Sequence, residues 1–198
     1  MDVRPLRIEG AVEITPLQYP DRRGLFAEGF RADVLSHHIG HEMTVRQTNI
    51  SVSIAGALRG IHYASVPPSQ AKYVTAVSGV FLDFVVDIRV GSPTFGQWDV
   101  VRLDTVDRRA VYLSEGLGHA LACLEDGTAV YLCSEVFNSA AEKGITPLDT
   151  AVALSLPKGF APIVTDKDTA APTLEQAGDA GLLPDYEACL AFRRSLRA

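Results

Sequence analysis

The sequence predicts an all-β core, an antiparallel sandwich or barrel, trimmed by short helices at its edges. Three observations lead there. The middle of the chain is a succession of short β-type runs broken by Gly, Pro, Ser and Asp. One of them, VFLDFVVDI at 80–88, is long enough to show strand alternation clearly. Helical signals are confined to the flanks.

In chain order, residues 31–39 can form a first helix. The predicted strands are 45–53, 58–63, 72–78, 80–88, 97–103, 109–113, 119–124 and 128–134. In the first of these, Gln47, Asn49, Ser51 and Ser53 alternate with Thr48, Ile50 and Val52. Such a row of amides and hydroxyls is either a solvated face or a set of directed partners for a polar ligand. In 80–88, Val80, Leu82, Phe84, Val86 and Ile88 share one side, which belongs against a hydrophobic core. Phe81, Asp83, Val85 and Asp87 share the other. Two acids on so apolar a strand point to a polar cavity, with a solvent-facing surface as the alternative. Near the C-terminus, TLEQAGDAGLL opens on Thr173 with Glu175 two residues on, and 186–196 is the last predicted helix. Neither an internal repeat nor a low-complexity linker interrupts the chain, so 1–198 reads as one domain.

Composition narrows the function classes. The chain has 198 residues, 47% of them hydrophobic and 21% charged, as in an ordinary globular protein. A net charge of −6 argues against general nucleic-acid binding, although a local arginine cluster can still hold a small anion. The first residues lack the apolar core of a signal peptide, and no stretch is apolar enough for a membrane helix. Cys123, Cys133 and Cys189 are an odd number without CxxC spacing, and read as reduced thiols of a cytoplasmic protein.

The histidines divide into two groups. His37, His38 and His41 lie in the polar stretch SHHIGHEM. His62 and His119 end strand-like runs in apolar surroundings, where a histidine is either structural or catalytic. Metal-binding β-barrels carry an HxH pair and a following Glu; GIHYAS has no such pair, so no metal site is expected. A nucleophile elbow GxSxG and a glycine-rich phosphate loop are also missing from the sequence. His62, Lys72, Asp83, His119, Tyr131 and the aspartates Asp166 and Asp168 remain as a set for acid–base work. A His paired with a carboxylate can take a proton at neutral pH, a lysine can stabilise an oxyanion, and a tyrosine can return a proton. Spacing alone does not bring these residues together.

A set of segments does. DRRGLFAE (21–28), RQTNISVS (46–53), GALRGIHY (56–63), PPSQAKYV (67–74), VFLDFVVDIRVGSPTFGQW (80–98), YLSEGLGHAL (112–121) and TDKDTAAPTL (165–174) together resemble the dTDP-4-keto-6-deoxysugar epimerases, of the dTDP-4-dehydrorhamnose 3,5-epimerase type. The resemblance runs in order from about residue 3 to residue 190. It implies a cupin-type jelly-roll barrel, a homodimer, and neither metal nor organic cofactor. It implies that His62 is the base beside the C4 ketone, paired with Asp168, that Lys72 stabilises the enolate, and that Tyr131 delivers a proton to the opposite face. His119 and Asp83 match a second His–Asp pair near the sugar. Arg23, Phe26, Glu28, Gln47, Asn49 and Arg59 match positions that hold the nucleotide. The chain departs from the family after the tyrosine: VFNSAAEK stands where many members read YYxPEHE, leaving Phe137 without a hydroxyl but able to stack on a base or sugar. That departure favours an enzyme acting at C3 only or C5 only, as in antibiotic deoxysugar pathways. A non-catalytic nucleotide-sugar-binding barrel is the reading from another class; it predicts loss of the base or the acid, and both are present.

Overall fold

The computed structural model describes residues 1–67 and 69–197; Pro68, within the quoted PPSQAKYV, and Ala198 lie outside the described residues. The strands are β1 (Asp2–Pro5), β2 (Ala11–Thr15), β3 (Gln18–Asp21), β4 (Gly24–Ala27), β5 (Gln47–Ser53), β6 (Leu58–Ala64), β7 (Lys72–Val86), β8 (Trp98–Asp104), β9 (Ala110–Leu113), β10 (Gly118–Cys133) and β11 (Glu142–Gly144). The helices are α1 (Ala32–Ile39), α2 (Asp166–Thr169), α3 (Leu174–Asp179) and α4 (Tyr186–Ser195).

Two antiparallel sheets share the long strands β7 and β10. The first part of β7 pairs with β9 and its second part with β8, while β10 lies along its other edge throughout. The start of β10 pairs with β6 and its end with β5. One sheet therefore runs β1-β2-β9-β7-β10-β5 and the other β8-β7-β10-β6-β11. This is the cupin-type jelly roll that was expected. A separate hairpin, β3–β4, stands outside it.

The sequence suggested a break in each long strand, at 78–80 and at 124–128. In the structure the strands bend there instead. Gly79 has φ +74°, and a Cβ on it would lie 2.6 Å from the Cα of Gly127. The pairing register also slips three times between Cys123 and Ala129. Two glycines thus let both strands turn the corner from one sheet to the other without ending.

Alternation along 80–88 holds. Phe84, Val86 and Ile88 pack outward against Leu174 and Ala177 of α3, with Leu82 beside them. Phe81 and Val85 point into the barrel with Val101, Leu103, Val111 and Leu113. Asp83 shares that inner side and is fully buried. Asp87 does not join it. The strand ends at Val86, so the two-residue period no longer governs Asp87. Its carboxylate instead accepts hydrogen bonds from Arg89, Ser92 and Thr94 in a buried knot.

The helices follow their sequence signals. Gly40, at φ 83°, ends α1. Thr173 caps α3, and its reciprocal partner is Gln176 rather than Glu175. Asp185 caps α4 by accepting from the Ala188 amide. The three cysteines are buried and free. Among the described residues no helix is long and apolar enough to cross a membrane.

Candidate active site

The inner face opens into a cavity of about 480 Å³. Three strands and one short helix bring the acid–base residues to it.

His62 on β6 lies directly opposite His119 on β10. Gly60 permits that closeness, because a Cβ there would stand 2.5 Å from the His119 carbonyl oxygen. Asp168 arrives from 106 residues away on α2. Thr165 caps that turn by accepting from the Asp168 amide, and the Gly60 amide donates to Asp168 Oδ2 at 3.5 Å. The carboxylate then meets His62, with Nε2 and Oδ1 2.8 Å apart. Since an ionised carboxylate only accepts, Nε2 carries the hydrogen and Nδ1 keeps a lone pair for a ligand. Burial pushes the His62 pKa below its ordinary value and outweighs the opposing pull of Asp168; the nearby His119 and Lys72 add to the depression. His62 is thus a neutral base near pH 7.

The second pair sits deeper. His119 Nδ1 is 2.8 Å from Asp83 Oδ1. Burial pushes the Asp83 carboxyl up, against the influence of His119. The His119 ring meets the Tyr131 ring edge-on, 5.5 Å between centroids. Burial also holds the Tyr131 hydroxyl far above the usual phenol range, so it keeps its proton. Lys72 opens β7, opposite Cys133 of β10, and lines the same cavity.

Polar groups predicted on 45–53 reach the rim. Gln47 donates to Asn49 Oδ1 and accepts from the Phe137 amide, both at 2.7 Å. Arg59 is aimed by β5, donating to Ser53 Oγ at 3.1 Å and to the Val52 carbonyl at 3.2 Å. Phe137 is 61% exposed at the mouth. Two further residues line the cavity that the sequence reading passed over. Glu142 is carried by β11 against β6, and Gln70 donates to the Glu135 carbonyl at 2.7 Å. Gln70 lies two residues before Lys72, inside a quoted motif; Glu142 lies within the stretch where this chain departs from the family, and its short strand has no alternation.

Arg23, Phe26 and Glu28 are not brought to the cavity within one chain. They stand on the β3–β4 hairpin and the residue after it. Arg23 pairs with Asp21 at 2.6 Å, Glu28 with Arg31 at 3.4 Å, and Phe26 is 65% exposed. Among the described residues no group of three or more His, Cys, Asp or Glu side chains is arranged to hold a metal.

A jelly roll that gathers a neutral histidine base, a protonated tyrosine and a lysine around one polar cavity defines an acid–base isomerase. The chain belongs to the dTDP-4-dehydrorhamnose 3,5-epimerase family, whose model matches residues 5–176. It is 50% identical over 198 residues to a dTDP-4-dehydrorhamnose 3,5-epimerase of Mycolicibacterium smegmatis, covering all of this chain and 98% of that one. It is equally 50% identical to a dTDP-4-dehydrorhamnose 3-epimerase of Streptomyces niveus, covering 96% and 92%. The solved structure of ChmJ, a 3'-monoepimerase from Streptomyces bikiniensis in complex with dTDP-quinovose, superposes with a TM-score of 0.95 at 45% identity over 98% of both chains.

Proposed function

We propose that this protein epimerises a dTDP-4-keto-6-deoxyhexose at C3, C5 or both, by proton removal and return through an enolate. The observation that carries the reading is the His62–Asp168 pair opening on the same cavity as Lys72 and Tyr131. His62 Nδ1 takes the proton from the carbon beside the C4 ketone, and the C–H electron pair passes into an enolate with its charge on the C4 oxygen. Lys72 stabilises that oxygen more than it does the ketone, which is what lowers the barrier. Tyr131 gives its hydroxyl proton to the opposite face, inverting the centre. The cycle closes when His62 loses its proton to water and Tyr131 regains one. His119 and Asp83 fix the wall beside the sugar, while Gln47, Asn49, Arg59 and Phe137 hold the nucleotide end.

Arg23, Phe26 and Glu28 join the site from a second copy in a homodimer. Their hairpin projects from the barrel, and Ile50 and Val52 at the cavity's outer edge are each 72% exposed, as in a surface awaiting cover. Mixing His62→Asn with Arg23→Ala protein tests this: heterodimers contain one intact site, so randomised pairing restores roughly a quarter of the parental rate. Equal mixtures that stay inactive after subunit exchange would place Arg23 in its own chain's site, and an Arg23→Ala protein that is fully active alone would place it outside.

A single-centre enzyme is the second reading, favoured by the VFNSAAEK segment and Phe137 at the cavity mouth. NMR of dTDP-4-keto-6-deoxyglucose in D₂O separates the two. Deuterium at C3 and C5 marks a double epimerase, deuterium at one carbon a mono-epimerase. No deuterium at either carbon would count against this substrate.

A further inference from the structure

We infer a second ligand site, on the opposite side of β9 from the barrel interior, that takes a small carboxylate with a short apolar body. Val111 and Leu113 of β9 point into the barrel core, so Tyr112 faces outward and Ser114, just past the strand, takes the same side. There a separate cavity of about 380 Å³ opens between β1, β2, the end of α1 and α4. It lies within the size range of small-molecule pockets.

Its lining holds four polar atoms with no hydrogen-bond partner among the described residues: Tyr112 Oη, Ser114 Oγ, Arg193 Nη1 and His41 Nδ1. Tyr112 is 1% exposed and Ser114 is 2% exposed. Two of these atoms converge. A Cβ on Gly10 would stand 2.3 Å from Ser114 Oγ and 2.7 Å from Arg193 Nη1, too close for any added atom, so the bare Gly10 lets the hydroxyl and the guanidinium both pack against it. Arg193 reaches it held from the other side, its Nη2 3.4 Å from Glu9 Oε1. A guanidinium N–H beside a hydroxyl is a donor pair for a carboxylate, and the Tyr112 hydroxyl supplies a third donor. Leu6, Ile8 and Ile39 line the same cavity and offer an apolar wall. Arg7 and Arg197, also at the cavity, add positive charge; Glu9 lines it, and the buried Glu115 is near enough to Arg193 and Tyr112 to act on both electrostatically. Unpaired buried polar groups are costly, and a carboxylate entering the cavity can accept from those that line it. None of these residues belongs to the His62 site.

The test is titration of the ¹⁵N-labelled full chain with sodium benzoate, and separately with sodium phosphate, followed through amide shifts. Benzoate is expected to produce saturable shifts at Gly10, Ile39 and Ser114, with His62 and Lys72 unmoved. Ser114→Ala and Arg193→Gln should each weaken binding about tenfold, as loss of a charge-assisted hydrogen bond does. Ser114→Ala should epimerise at the parental rate and serves alone if Arg193→Gln does not fold. Shifts that do not saturate, that centre on His62, or that ignore Ser114→Ala would overturn the site. Phosphate binding as tightly as benzoate would overturn the apolar half of the assignment, and water alone fills the cavity if neither binds.

Discussion

Two His–Asp pairs share one cavity, each with nitrogen and oxygen 2.8 Å apart, yet they are in different circumstances. The His62 side chain is 35% exposed over an Asp168 that is 8% exposed; for His119 and Asp83 the figures are 5% and 0%. The first pair has a free nitrogen, a hydrogen-bonded carboxylate and access to a ligand. The second is nearly buried, only His119 reaching the cavity wall, and burial pushes its carboxylate toward the neutral form. Identical residue types at identical separation thus differ in access and solvation, and under the proposed mechanism that difference makes one pair the base and the other a wall.

That contrast can be broken most sharply at His62. His62→Asn should lower deuterium exchange at C3 and C5 by about 10³-fold while leaving dTDP binding intact, since a positioned general base contributes on that order. Exchange at the parental rate would transfer the role to His119. Asp168→Asn should cost about 10²-fold and also move the acid limb of the pH–rate profile. His62 acts when neutral, so activity falls as pH drops through its pKa, which lies below the ordinary 6.5. Asp168 raises that pKa, so its loss should shift the acid limb to still lower pH; a shift upward would contradict the pairing. Tyr131→Phe should leave exchange at one carbon and reduce inverted product roughly 10²-fold, measured by product NMR. Asp83→Asn, nearly isosteric and aimed at the deeper pair, should cost only about tenfold in kcat/KM with the acid limb unmoved. A loss as large as that of Asp168→Asn would make the two pairs equivalent and end the comparison.

Much of this was legible in the chain. The run 80–88 placed Asp83 inside the barrel and Phe84 outside it, because a half-polar strand face leaves a two-residue signature. The amide row on 45–53 likewise foretold Gln47 and Asn49 at the cavity. What failed did so for local reasons. QYPD and EKG, which form β3 and β11, are too short and too polar to alternate, and the pairs at Ser78–Gly79 and Asp126–Gly127 read as turns where they are bends. Asp87 was put with Asp83 by a period that stops one residue earlier. The meeting of Asp168 with His62 has no local signal at all; it came from the resemblance of whole segments. The hairpin residues Arg23, Phe26 and Glu28 show the limit from another side, since one chain does not bring them to the cavity.

The bend at Gly79 and Gly127 has a consequence for how such a protein can change. Lys72 and Asp83 lie on one of the two shared strands, His119 and Tyr131 on the other, and the pairing between those strands resumes on both sides of the bend. The segment carrying Phe137 begins only after β10 ends, tethered at the mouth by Gln47 and Gln70. The buried ionisable side chains of β7 and β10 and the mouth of the cavity therefore occupy separate stretches of chain, so the mouth can be rewritten while the frame that holds those side chains stays unaltered.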